Sequence, residues 1–140
     1  MSAAQVFALA NPLALAGWVL LVAAPRRRWT ATMSGLVIPG LFAAAYMAII
    51  ATKWHEGSGG FSSLAEVAAL FSNPWLLLAG WLHYLAFDLL IGAWEVRDAH
   101  ERGLPHIAVV PCLLLTFLFG PLGWLCYLAL RGVWTRRTSP

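Results

Sequence analysis

The chain has 140 residues, of which 61% are hydrophobic and 11% charged, with a mean hydropathy of +0.74. A soluble domain carries about 25% charge and about 45–50% apolar residues. The composition therefore excludes a soluble globule, a disordered chain and a coiled coil, and points to an integral membrane protein whose first partner is the lipid bilayer. The net charge of +3 comes from nine Lys and Arg against six Asp and Glu. Such a balance reads as arginines flanking membrane spans, with no surface for nucleic acid.

The first apolar run covers about residues 5–24 and ends at Pro25-Arg26-Arg27-Arg28. Its arginines follow the run instead of preceding it, so it reads as a retained span and not as a signal peptide. A second run covers about 33–52, with Pro39 inside. The connection 53–73 holds the flexible Gly57-Ser58-Gly59-Gly60 segment. After it, Ser63 and Glu66 form a capping-box pattern ahead of Leu64, Val67, Ala68 and Phe71. That spacing predicts a short amphipathic helix lying in the membrane interface.

A third run covers about 74–94 and opens at Asn73-Pro74. Residues 95–106 read as a charged loop with a turn at Gly103-Leu104-Pro105. The fourth run covers about 107–130 and includes Pro111 and Gly120-Pro121-Leu122-Gly123. Each run is near the roughly 20 residues that cross a bilayer as a helix. The expectation is an all-α, single-domain membrane protein over 1–140 with four transmembrane helices. On one straight fourth helix, Cys112 and Cys126 would stand about 21 Å apart.

Four spans put both termini on one side. The arginine triplet and the loop 95–106 then face five cations against four, so loops 25–32 and 95–106 are expected to be cytoplasmic. A repeat is visible in Asn11-Pro12 with Ala16-Gly17-Trp18 against Asn73-Pro74 with Ala79-Gly80-Trp81. It would relate two tandem two-helix halves, with chance similarity of apolar segments as the equal alternative.

Asp88 sits in the middle of the third run, where a carboxylate costs several kcal/mol unless it is paired, protonated or hydrated. At 100° per residue, Trp81, Tyr84, Asp88, Gly92 and Glu95 share one stripe that must face the bundle interior. Gly92 would admit a close neighbour. His83 stands about 140° away and cannot share the stripe. Asp98, His100 and His106 fall near the membrane surface. No metal-ligand spacing and no phosphate loop occurs, so neither a metal nor any other cofactor is expected. Trp29, Trp54, Trp75 and Trp134 read as interfacial anchors. Trp18, Trp81, Trp94 and Trp124 lie within the apolar runs and are candidates to line a groove for a flat, apolar ligand.

Ala79-Gly80-Trp81-Leu82-His83, Asp88-Leu89, Asp98, Gly103, His106, Cys112-Leu113-Leu114 and Gly120-Pro121-Leu122-Gly123 together carry a resemblance. They resemble the neoxanthin-synthesis, or abscisic-acid-deficient-four-like, family of small plastid and bacterial membrane proteins. The resemblance covers most of the chain and is most specific over residues 73–130. It implies a role in carotenoid metabolism. The implied reaction is an isomerisation that opens an epoxide and forms an allene by loss of a neighbouring proton. It needs an acid at the epoxide oxygen and a base at carbon. The residues matching the family pattern are Asp88, His83, Asp98 and His106, with His106 the better geometric partner for Asp88. Trp81, Tyr84, Gly92 and Trp94 would contact the polyene or lipid ligand. With no plastid transit segment, the chain looks like a bacterial inner-membrane member. A homo-oligomer would enlarge the wall offered to a long polyene. The rival expectations are a non-catalytic carotenoid- or lipid-binding subunit, and a structural protein whose Asp88 and His83 only join helices.

Overall fold

The protein is described by a computed structural model over residues 1–138. It contains six helices. Helix α1 is Ala3–Ala23, capped by Ser2, whose hydroxyl accepts from Gln5 N–H while the Gln5 side chain accepts from Ser2 N–H. Helix α2 is Arg28–Glu56, continuous through a wide π turn at Met33–Val37 and ending in a 3₁₀ turn at Trp54–Glu56. Helix α3 is Leu64–Leu70, α4 is Pro74–Glu101, α5 is His106–Phe119 and α6 is Pro121–Thr138. Three of these, α1, α2 and α4, are long and apolar enough to cross a membrane.

Packing follows the small residues. The π turn of α2 precedes Pro39, which has no N–H to offer the preceding turn. Ser34, inside that turn, donates to the Gly17 carbonyl at 2.9 Å and ties α2 to α1. Gly92 of α4 receives the Trp18 ring, leaving no room for a Cβ. Helix α4 is the centre of the bundle and packs on α1, α2 and α5. Its Leu82 and Leu89 are fully buried, together with Leu21, Val109 and Leu113.

The fourth apolar run does not form one helix. It breaks at Gly120, whose φ of +50° lies in the region only glycine enters freely. Pro121 then starts α6 without needing a backbone donor. The chain folds back, so α6 runs antiparallel to α5 along α4. Gly123 lies against Thr116, Tyr127 reaches Asp98, and the Trp134 indole donates to the Arg102 carbonyl. Three long helices and a hairpin that turns half-way thus replace the expected four spans. Helix α5, at 14 residues, is about 21 Å long and cannot cross a hydrocarbon core of about 30 Å.

Several expectations change with that turn. Cys112 and Cys126 stand on neighbouring helices instead of one straight one, and both are free thiols. The tandem repeat is not a structural one: Asn73 caps α4, whereas Asn11 lies inside α1 and accepts from the Trp81 indole at 2.8 Å. The charged loop 95–106 is mostly helix, because α4 continues to Glu101. Helix α3 forms where expected, with Ser63 accepting from Glu66 N–H, but the Glu66 carboxylate returns to Ser62 N–H. It turns Leu70 inward and leaves Leu64 exposed.

The turn also redistributes charge. Arg26, Arg27, Arg28, Arg97, Arg102, Arg131, Arg136 and Arg137 now belong to one end of the bundle, and Lys53 alone to the other. At the Lys53 end, its ammonium pairs with Glu56 at 2.7 Å, and the Asn73 amide donates to the Glu56 carbonyl. Single cysteines test this arrangement in sealed vesicles. Arg27→Cys and Thr135→Cys should react with a membrane-impermeant maleimide from the same side, and Ser58→Cys from the opposite side. Four full spans would instead put position 135 with position 58.

Candidate functional site

Helix α4 has 28 residues and a length of about 42 Å, so Asp88, its fifteenth residue, lies at mid-depth. The hairpin turn meets it there: a Cβ on Gly120 would come within 3.0 Å of Asp88 Oδ1. Tyr84 stands one turn earlier on the same stripe of α4. Asp88 Oδ2 is buried and has no hydrogen-bond partner among the described residues. Beside the carboxyl is a cavity of about 320 Å³ lined by Asp88, Ile91, Gly120, Pro121 and Trp124.

The half-length of α5 explains why this carboxyl is reachable. Helix α5 covers α4 from the arginine end only as far as Asp88. Beyond the hairpin tip, the same stripe of α4 continues uncovered through Tyr84, Trp81 and Leu77. Leu77 is 55% and Trp81 38% exposed. A second cavity, about 450 Å³, lies there between α4 and α1, lined by Ala3, Ala4, Phe7, Leu77 and Trp81 among others. Phe7, Trp81 and Tyr84 form an aromatic row with ring centroids 5.6 and 5.4 Å apart. The row leads from the Lys53 end of the bundle to Asp88. The recess on this side of α4 is thus two apolar cavities with no lining residue in common. One lies between α4 and α1 at Phe7 and Trp81, and one at the hairpin tip, where the single carboxyl is Asp88. Apolar walls with few polar groups are the form expected of a lipid-ligand site.

The other candidate residues are not gathered at Asp88. His83 points away from Asp88, its ring tilted against Phe87 at 4.7 Å and Tyr46 at 5.9 Å. It lines the cavity under α3, which shares Gly80 with the cavity between α4 and α1 but no residue with the one at Asp88. The ring of His106 hydrogen-bonds the Val22 carbonyl at 3.0 Å, at the arginine end. It stands a full α5 length, about 20 Å, from the tip. The expected pairing of His106 with Asp88 is therefore absent. A single helix rising from His106 would have allowed it only by tilting inward, and α5 instead carries His106 away from the tip. Asp98 is bound elsewhere: Arg102 Nε donates to both oxygens at 3.0 and 2.9 Å, the Tyr127 hydroxyl donates at 2.6 Å, and Arg131 Nε stands 3.7 Å away. Gly92 is covered by Trp18, and Trp94 packs edge-on to Tyr127 at 5.5 Å. Of the expected ligand contacts, Trp81 lines the cavity between α4 and α1, and Tyr84 packs on Trp81 with ring centroids 5.4 Å apart. Among the described residues, no three His, Cys, Asp or Glu side chains converge as a metal site.

Two features of the site escaped sequence reasoning. The Gly120-Pro121 turn is brought beside Asp88 by the fold-back, and it carries there Trp124, which was expected to line a groove. The second is the full burial of Glu95, with Oε1 accepting from Thr116 at 2.9 Å and Oε2 unpartnered. Its place on the Asp88 stripe was legible, but an assumed span end at residue 94 put it in a loop.

The tip is open to a stability test. Gly120→Ala forces an L side chain to positive φ against Asp88, and should destabilise by about 1–2 kcal/mol. Gly132→Ala, in α6 with open space around its Cα, should stabilise by about 0.5–1 kcal/mol. Thermal unfolding in detergent measures both, and equal effects would contradict the strained turn.

No curated protein and no solved structure matches the chain. A family does: the pattern described as ABA DEFICIENT 4-like matches residues 5–127. That match includes α1 from its third residue, all of α2, α4 and α5, the Gly120 turn and Asp88, and the chain belongs to this ABA DEFICIENT 4-like family.

Proposed function

We propose that the protein acts within the bilayer on a long apolar molecule of the carotenoid type, with Asp88 as the group that transfers a proton. The observation that carries this reading is the address of Asp88, the one carboxyl lining the apolar cavity at the hairpin tip, beside Trp124 and next along α4 to the aromatic row of Phe7, Trp81 and Tyr84. Family membership and the resemblance to neoxanthin-forming proteins support an epoxy-carotenoid as substrate. Flat aromatic rings suit a conjugated chain, and one carboxyl suits its oxygen-bearing end group.

The chemistry can be balanced with Asp88 alone. The Asp88 carboxyl gives its proton to the epoxide oxygen as the carbon–oxygen bond breaks. The resulting carboxylate takes a proton from the neighbouring carbon, and the released electron pair forms the second double bond of the allene. The substrate is isomerised and Asp88 ends as it began. Tyr84, one turn before Asp88 on the same stripe of α4, is the side chain placed to orient the carboxyl. This route replaces the histidine base expected from the family pattern, because neither His83 nor His106 reaches the recess. That separation also favours a second reading, a polyene-binding subunit in which Asp88 only anchors the end group.

The arginine-rich end is proposed to face the cytoplasm of a bacterial inner membrane, since eight cationic residues against one is a strong positive-inside signal. The recess then opens to the opposite leaflet.

Expression in a host that accumulates an epoxy-carotenoid tests the function. Wild-type protein should convert it to an allenic isomer, and Asp88→Asn should reduce conversion by about a hundredfold or more at equal membrane abundance. A co-purifying, unchanged carotenoid would support the binding subunit. Neither product nor bound pigment would contradict both readings.

A further inference from the structure

Among the described residues two buried carboxyls have an oxygen without a hydrogen-bond partner, and only one of them, Asp88, lines the recess. Glu95 lies seven residues after Asp88 on the same stripe of α4, about 10 Å further toward the arginine end. It is fully buried. Asp98 follows three residues later, where α4 reaches the arginine-rich surface. The three acids thus ascend one face of one helix, from mid-depth to water. On α5, the last turn joins the lower two: the Thr116 hydroxyl donates to Glu95, the Gly120 N–H donates to the Thr116 carbonyl, and Gly120 itself abuts Asp88.

Packing alone does not account for Glu95. A fully buried carboxyl costs several kcal/mol, and a Gln or Leu of similar size would fill the same volume at lower cost. Glu95 faces no cation. The titratable groups that interact with it are Asp88 on its own helix and Cys112 on α5, and Asp98 stands three residues further along α4. Arg102 and Arg131, with the Tyr127 hydroxyl, are all engaged by Asp98. Chains of acids spaced through a membrane helix are the form that proton routes take.

We propose that Asp98, Glu95 and Asp88 are successive stations of a proton route that joins the arginine-rich surface to the lipid-facing recess. A proton enters at Asp98, passes to the free Oε2 of Glu95, and reaches Asp88 past the Thr116 hydroxyl. Each transfer moves one proton between oxygens, so no oxidant or co-reactant is consumed. The route loads and exchanges the Asp88 proton from the aqueous phase, although the recess itself opens to lipid. It makes Glu95 a positioning residue that acts through Asp88, and it holds whatever molecule the recess accepts.

Hydrogen–deuterium exchange of the Asp88 carboxyl tests this without any substrate. The full chain is placed in lipid nanodiscs, and infrared spectra are followed after transfer to D₂O. The Asp88 band is the carboxyl C=O stretch that disappears in Asp88→Asn. Glu95→Gln should slow exchange of that band by about tenfold or more. Gln retains an oxygen for Thr116 and removes the cost of a buried carboxyl, so helix content should be unchanged and thermal stability unchanged or raised. Glu95→Asp keeps a carboxyl and should preserve most of the exchange rate, and Thr116→Val should slow it partially. An unchanged rate in Glu95→Gln overturns the route. So does equal slowing by Glu95→Asp, which would assign the effect to packing, or the absence of any protonated Asp88 band. An unchanged rate in Glu95→Gln, or equal slowing by Glu95→Asp, would leave the carotenoid chemistry of Asp88 standing. A missing protonated Asp88 band would count against both, and failure of that chemistry alone would leave the route standing.

Discussion

The fold depends on one turn. Gly120 adopts a positive φ, Pro121 restarts the helix, and Gly123 lets α6 lie against Thr116 of α5. A side chain at either glycine would meet Asp88 or the α5 backbone. Because the chain can turn there, an apolar run long enough to cross the bilayer becomes two helices that share one end of the bundle. Every other functional feature follows from the resulting half-length of α5.

The first consequence is geometric. A helix that stops at mid-depth covers half of the α4 stripe and leaves the rest open to lipid. The boundary falls at Asp88, which is thereby both held by the hairpin tip and open to the recess. The second consequence is electrostatic. Carrying Arg131, Arg136 and Arg137 back to the end of Arg26–Arg28 concentrates positive charge at one surface. Asp98 sits beneath that surface, held by Arg102, Tyr127 and Arg131 from two directions. Breaking this cluster would strand charge at the helix end, whereas Asp88 and Glu95 are each left with a free oxygen. The bundle therefore neutralises the acid at its edge and keeps the two deeper acids available.

Much of this was legible in the sequence, for physical reasons. Composition excluded water as the solvent of the fold. Hydropathy located α1, α2 and α4, and the Asn73-Pro74 and Ser63–Glu66 patterns marked real helix starts. Asp88 was conspicuous because lipid penalises an isolated carboxyl. The fourth run misled because hydropathy measures how apolar a segment is and not where it turns. Gly120-Pro121 was visible as a break, but only its φ and the contact of Gly123 with Thr116 reveal a reversal. The histidines misled differently. His83 and His106 matched a family pattern, yet angular position on α4 and the direction of α5 decide what each can touch. Glu95 was hidden by a span end drawn seven residues early, where Arg97 and Asp98 lower the local hydropathy while the helix continues.

The reversal at Gly120 is the central claim, and one distance tests it directly. Spin labels at Ile107 and Val133, both exposed, mark the start of α5 and the last part of α6. Pulsed dipolar spectroscopy in nanodiscs should give a single distance of roughly 10–25 Å, the separation of neighbouring helices plus label length. A straight fourth span would place the two sites about 39 Å apart. A distribution centred near that longer value would contradict the hairpin, and with it the recess and the placement of Asp88.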